Sequence, residues 1–327
     1  MKKSLFQLLI LMVISNVLAQ HKPTDPFAHT FSIVARDSLT GDLAVAVQSH
    51  WFSVGTVVSW AEVGVGAIAT QSFVNVSFGP RGLELLKEGK SPQDVLEQLL
   101  KDDEGREVRQ VAIIDTKGNV ATHTGTKCID YAGHTNGPNF SVQANMMLNE
   151  KVVPAMKSAW GSNSNLKLPE RMVAVLQAAQ SVGGDIRGKQ SAALIVVKGK
   201  ASDEPWNDRL INLQVADHSD PIAELSRLLK VHRAYEYMNA GDLYVEKGQM
   251  DKAMEAYNSA MNMFPENLEM KYWTAITLAN EGDVEKAKEM LKPIFKKDPN
   301  WKLLTERLPK VGLLIISEED LNSILKL

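Results

Sequence analysis

At 327 residues the chain is long enough for two domains or one large one. Its apolar content of 44%, charged content of 23% and formal charge of −3 describe an ordinary globular protein and argue against a general nucleic-acid binder. The single cysteine, Cys128, excludes an internal disulfide framework and any multi-cysteine metal site.

The chain opens with the pattern of an export signal. Met1-Lys2-Lys3 is a short basic stretch, Leu5 to Ile14 is nearly unbroken apolar, and Val17-Leu18-Ala19 sets small residues before a cut at Gln20. The apolar run is short for a membrane span. Residues 20–29, polar and with two prolines, read as a leader or linker, and an exported protein, periplasmic or extracellular, is the expectation.

Thr30 to Arg36 is the first run that reads as a buried strand, and Asp37 to Asp42 supplies turn chemistry before its hairpin partner, Leu43 to Ser49. Two apolar runs, Val54 to Trp60 and Val63 to Gln71, read as further strands. A helix through Leu83, Leu85 and Leu86 follows. The next starts cleanly, with Ser91 as N-cap, Pro92 in the first turn and Asp94 three residues after the cap. Strands return at Val108 to Ile114, Val120 to Thr124 and Phe140 to Met146. Helices at about 150–160 and 168–181 precede strands at Ser191 to Val197 and Leu210 to Val215. Strands, a helix pair, strands and a helix pair make an α+β order that fits two stacked sheets flanked by helices.

From Pro221 the pattern turns helical and repeats with a period of 34. Gly248 recurs as Gly282, Ala253 as Ala287 and Pro265 as Pro299. Tyr237, Ala240, Gly241, Tyr244, Ala253, Tyr257, Ala260 and Pro265 fall on the tetratricopeptide positions, giving repeats at 234–267 and 268–300. Pro221 to about Lys230 and Trp301 to Leu327 would cap them. The repeats serve either packing and homo-oligomerisation or a groove for a protein or peptide partner, with packing slightly favoured.

A strand that opens on Thr has a chemical consequence if the chain is cut before it. A free N-terminal Thr30 carries a hydroxyl nucleophile and, on the same residue, an amine that titrates near neutrality and acts as its base. His29, His50, His123, His134 and His218 show no metal-ligand spacing, and no P-loop, Rossmann or GxSxG fingerprint is present, so neither metal nor cofactor is expected. Cys128 as a nucleophile would need a base that the sequence does not place.

The motifs Thr30-Phe-Ser-Ile-Val-Ala-Arg-Asp37, Ala44-Val-Ala-Val-Gln48-Ser49, Gly64 to Gln71, Gly79-Pro-Arg-Gly-Leu83, Gly184-Asp185, Gly188 to Ala193 and Trp206 to Arg209 occur in order. Together with Thr124-Gly125, Cys128, Ala132-Gly133-His134 and Asp217 to Pro221, they resemble the domain-of-unknown-function family numbered 1028 over residues 30 to about 229. That family is grouped with the N-terminal-nucleophile hydrolases. The resemblance therefore implies a four-layer αββα sandwich and hydrolysis of a small amide or peptide-like compound, with Thr30 as nucleophile. Side-chain amides are suitable oxyanion donors, and Gln48, Gln71 and Asn75 are the candidates. Asn75 also lies in an Asn-Val-Ser glycosylation acceptor pattern. Arg36 and Asp37 would orient the amine or hold a charged substrate group, and His50 and His134 are further candidate substrate contacts. Turn capping by Asp37 and sheet-edge hydrogen bonds by the amides are the structural alternatives. Two features depart from the family. Thr30 is preceded by 29 residues, so the His29–Thr30 bond would have to be cut, and His50 stands where a different residue, often Lys, is expected. A binding module with an uncut chain and an assembly factor working through its repeats are the competing readings.

Overall fold

The computed structural model describes residues 26–327, so the signal-like segment and most of the leader lie outside the described residues. Two compact units divide at Leu229/Lys230. Among the described residues no helix is long and apolar enough to cross a membrane.

The first unit runs, in chain order, through β1 (Phe27–Ala28), β2 (Thr30–Arg36), β3 (Leu43–Ser49), the short helix α1 (Gly55–Val58), β4 (Ser59–Glu62) and β5 (Gly66–Phe73). Helices α2 (Phe78–Lys87) and α3 (Pro92–Lys101) lead to β6 (Arg109–Asp115), β7 (Val120–Thr124), β8 (Gly133–Gly137) and β9 (Phe140–Ala144). Helices α4 (Val152–Ser162) and α5 (Leu168–Ser181) precede β10 (Ser191–Val197) and β11 (Arg209–Val215). One sheet has the order β1-β5-β6-β7 with β4 also on β5, and the other β11-β10-β3-β2-β9-β8.

Period-two alternation assigns each strand's side chains to a layer. Phe31, Ile33 and Ala35 of β2 join Ala44, Ala46, Val142 and Leu194 in a core under α4 and α5. Val34, Val45 and Val47 instead meet Ala67, Ala69, Ala112 and Ile114 between the sheets. Ile68, Val111 and Ile113 pack on the outer side against Phe78, Leu83 and Leu99 of α2 and α3. The result is the αββα sandwich.

Three local differences from the sequence reading have physical causes. Val54 to Trp60 is not one strand, because Gly55–Val58 forms a helical turn before β4. A Cβ on Gly55 would fall 1.9 Å from Gln214 Oε1, so this turn is pressed against β11 in a way no strand propensity reports. Residues 27–29 are not linker: Phe27–Ala28 pairs antiparallel with Ser72–Phe73, and His29 is fully buried. Gly133–Gly137, where the sequence reading places no strand, is the strand β8 paired with β9.

The segment expected as a separate cap, Pro221 to about Lys230, falls almost wholly in the first unit and belongs to the same helix as the start of the first repeat. Helix α6 (Pro221–Glu246) runs unbroken, because no proline interrupts it before Gly248. It supplies Ile222, Leu225 and Leu229 to the first unit and Ala234 and Met238 to the second. Helices α7 (Met250–Met263), α8 (Leu268–Asn280), α9 (Val284–Lys297), α10 (Asn300–Arg307) and α11 (Glu318–Leu325) complete it. Asn267 and Asp283 cap α8 and α9 by accepting backbone N–H bonds.

The small signature residues permit close helix contact. A Cβ on Gly241 would lie 2.3 Å from Cε1 of Tyr257, whose ring is buried and whose hydroxyl donates to Asp242 Oδ1 at 2.7 Å. Gly241→Ala should therefore lower repeat stability by about 1–2 kcal/mol, overpacking outweighing the helix-propensity gain. A thermal melt of the full chain that is unchanged or raised would contradict this.

Candidate active site

Thr30 begins β2 in the middle of its sheet, opposite Ser49 of β3, and its carbonyl accepts from the backbone N–H of Asn145. Parity then places Thr30, Ser32 and Ser49 on the inter-sheet face, where the apolar residues of the strand interiors give way to polar ones. Ser32 Oγ donates to Gln71 Oε1 at 2.6 Å and accepts from Gln143 Nε2 at 2.6 Å. Gln71 Nε2 donates to the Thr30 carbonyl at 3.2 Å and to Gln110 Oε1 at 2.6 Å. Asn145 Nδ2 donates to the same Gln110 oxygen at 2.8 Å. Ser32, Gln71, Gln110, Gln143 and Asn145 are all fully buried, and these mutual bonds offset the cost of burying them.

The His29–Thr30 peptide lies at the edge of this network. Thr30 Oγ1 donates to the Gln48 carbonyl at 2.8 Å. The carbonyl of His29 accepts from Ser49 Oγ at 2.5 Å and from Arg187 Nη2 at 2.8 Å. Arg187 is itself held by Asp185, whose Oδ1 accepts from Nε at 3.0 Å and whose Oδ2 accepts from Nη2 at 2.8 Å. Asp185 Oδ2 also accepts the backbone N–H of His50. A hydroxyl, the carbonyl before it, and two donors on that carbonyl are thus assembled around one bond.

The imidazole of His29 packs edge-on against Phe27 and Phe73, with ring centroids 4.2 and 5.4 Å away. Its Nδ1 lies 2.6 Å from Asn145 Oδ1 and, as Nδ1–H, donates to it, while Nε2 is buried without a hydrogen-bond partner among the described residues. Burial pushes this imidazole down to about 4 against the Asn145 bond; Arg187 adds to the push and Asp185 opposes it. The ring is therefore neutral at pH 7. In an undocked segment it titrates near 6.5, so the free form binds more protons between the two values. Docking of residues 26–29 should weaken as pH falls from about 6.5 to 4, by up to about 3 kcal/mol. Hydrogen exchange at the Val74 amide, which donates to the Pro26 carbonyl, would read this. A His29→Asn chain should lose the dependence, and an exchange rate equally pH-dependent in both would contradict it.

The other predicted residues fall in several places. Gln48 contributes its carbonyl, but its side chain leaves the strand on the helix-side face with Ala44 and Ala46, away from Thr30. Its amide atoms are buried and unpartnered among the described residues. Asn75 is a turn residue: its Oδ1 accepts from the backbone N–H and hydroxyl of Ser77. Arg36 and Asp37 lie at the far end of β2, about 20 Å along the strand from Thr30 at about 3.3 Å per residue. There Arg36 donates to the Thr116 carbonyl and Asp37 Oδ1 caps the Leu39 and Thr40 amides. His50 is exposed, near the site through its backbone N–H. His134 is exposed on β8, joined to the network through Thr124 Oγ1 and Gln110. Burial pushes the Cys128 thiol up, which keeps it protonated.

Sequence reasoning passed over His29, Ser49, Gln110, Gln143, Asn145, Asp185 and Arg187 as site residues. A usable signal existed for four of them. Gln110 follows the parity of inward Ala112 and Ile114, Gln143 and Asn145 continue that of Ser141, and Ser49 follows Val45 and Val47. Gln110 and Ser49 are polar residues on faces that are otherwise apolar, and Ser141, Gln143 and Asn145 make a buried polar face opposite the apolar Phe140, Val142 and Ala144.

Comparison with known proteins follows the same division of the chain. The profile of a family of unknown function, DUF1028, matches residues 30–225, and a tetratricopeptide-repeat profile matches residues 244–308. Among solved structures, the chain is similar to protein SPO2555 from Silicibacter pomeroyi, described under DUF1028, at 29% identity and a TM-score of 0.56. The match covers 62% of this chain and 88% of that one. A match to Anbu (ancestral beta-subunit) from Yersinia bercovieri covers 61% of this chain and 92% of that one. That match has 12% identity and a TM-score of 0.30. No curated protein matches the chain.

Proposed function

Since the chain belongs to the family of unknown function DUF1028 and carries tetratricopeptide repeats, we propose that it is an exported amide-bond hydrolase of the N-terminal-nucleophile type, with Thr30 as nucleophile. The observation that carries this is the His29–Thr30 peptide itself: its carbonyl accepts from Ser49 and Arg187 beside the Thr30 hydroxyl. Attack of Oγ1 on the His29 carbonyl carbon forms a tetrahedral centre whose oxyanion those two donors stabilise. The C–N bond then breaks as the nitrogen takes the hydroxyl proton, leaving an ester. That step frees the Thr30 amine; water then hydrolyses the ester, releasing the segment ending at His29 and restoring the Thr30 hydroxyl. The mature site repeats the chemistry on a substrate amide, with that amine as base and an acyl-enzyme as intermediate. Ser49 and Arg187 serve as the oxyanion donors, in place of the side chains of Gln48 and Asn75.

Intact mass and N-terminal sequencing of the exported protein test the reading. A chain beginning at Thr30 is expected. A chain whose His29–Thr30 bond stays intact over days ends the assignment; the protein is then a binding or assembly factor. Its tetratricopeptide repeats, protein-interaction units in general, would carry the work. Ser49→Ala should slow the cut by a factor on the order of 10² by removing one of the two donors. Equal cutting in Ser49→Ala and the parent, followed by mass over time, would remove Ser49 from the mechanism. The substrate is a small amide or a peptide, and the repeats offer a surface for a protein partner or for a second copy.

A further inference from the structure

Residues 26–29 are seated as a peptide ligand would be. The Pro26 carbonyl accepts from the Val74 N–H at 2.9 Å, and Phe27 and Ala28 pair with Phe73 and Ser72, so the segment adds a short strand to the edge of β5. The Phe27 ring meets Phe73 edge-on at 4.3 Å between centroids. Ala28 is fully buried in the inter-sheet core, where a larger side chain would overpack. The neutral His29 ring fills a pocket whose polar wall is Asn145 Oδ1, with Ser72 Oγ at 3.5 Å. Its carbonyl ends on Ser49 and Arg187.

From this we infer that the groove along β5 is the acyl side of a peptide-binding cleft, and that the substrate is a peptide. Its residue before the scissile bond is a neutral, planar side chain with an N–H donor, as His is here. The residue before that is small, and the one before that aromatic. Arg187 at the mouth disfavours a cationic side chain in the same pocket. The inference rests on the hydrolase reading for its catalytic meaning, but binding of such a peptide requires no turnover.

The test uses the full-length chain with its own occupant loosened by Phe27→Gly and His29→Gly. The probe is a fluorescein-labelled peptide Thr-Asp-Pro-Phe-Ala-His with a free carboxylate, followed by anisotropy. The variant should bind it at least tenfold more tightly than the uncut parent, whose tethered segment competes at high effective concentration. Control peptides ending Pro-Gly-Ala-His and Pro-Phe-Ala-Lys should each bind at least tenfold more weakly. If all three bind alike, or if none binds a variant that still melts cooperatively, the cleft is overturned. The single change Phe27→Gly takes over the test if the double variant does not fold. N-terminal sequencing of the same samples keeps the two ideas separate. Selective binding by a chain that never exposes Thr30 sinks the hydrolase alone, whereas exposure of Thr30 without peptide selectivity sinks the cleft alone.

Discussion

A chain carrying Thr30→Ala is expected to keep the bond after His29 unbroken and to hydrolyse no amide, a loss on the order of 10⁴-fold or more in rate. In the proposed mechanism, removing Oγ1 removes the atom that attacks in both the self-cut and turnover. The structural cost is small by comparison. One hydrogen bond, to the Gln48 carbonyl, is lost, worth about 1 kcal/mol, and the strand pairing of Thr30 with Ser49 is a backbone matter that Ala satisfies equally. Thr30→Ser keeps the hydroxyl and should retain cutting and some activity. Mass spectrometry of both variants, with melting curves to show that each is folded, reads the result. Turnover by Thr30→Ala equal to that of the parent would end the nucleophile assignment.

Arg187→Ala should produce two separable effects. It withdraws one donor from the His29 carbonyl, which should slow the cut by a factor on the order of 10²–10³. It also strips Asp185, whose side chain is fully buried, of its cationic partner. Leaving that charge uncompensated should cost about 3–5 kcal/mol of stability. Adding Asp185→Asn to Arg187→Ala neutralises the stranded carboxylate, so the double variant should regain much of the stability and none of the rate. If the double variant also recovers the rate of cutting, Arg187 acts only by holding Asp185 in place and is not an oxyanion donor.

The layer order, the repeat region and the helix start at Ser91 were legible in the chain because each is a local pattern. Alternation with period two identifies the buried strands, and a period of 34 with small residues at fixed positions identifies stacked helix pairs. Ser91 accepts the Asp94 amide as its spacing suggests, since a cap involves residues three apart. Thr30 as the centre of the site came from the resemblance of the surrounding motifs to a family, and from the chemistry that an N-terminal threonine would have.

The partners of Thr30 were not legible in the same way. In the sequence Gln48 is adjacent to Ser49, and the side-chain amide looked the better oxyanion donor. Strand parity turns it to the opposite face and brings the Ser49 hydroxyl to the carbonyl. A shift of one residue decides that, and the register opposite Thr30 fixes it. Arg187 and Asp185 lie more than 150 residues from Thr30 in sequence, and they meet its leading peptide because β10 pairs with β3, bringing the turn before Ser191 beside Ser49. The sequence by itself determined the composition of the layers, the repeats, and a threonine able to become a nucleophile. Only the tertiary structure decided which side chains face that threonine and that residues 27–29 fill the space beside it, because side-chain neighbours across a sheet depend on register and strand order, not on distance along the chain.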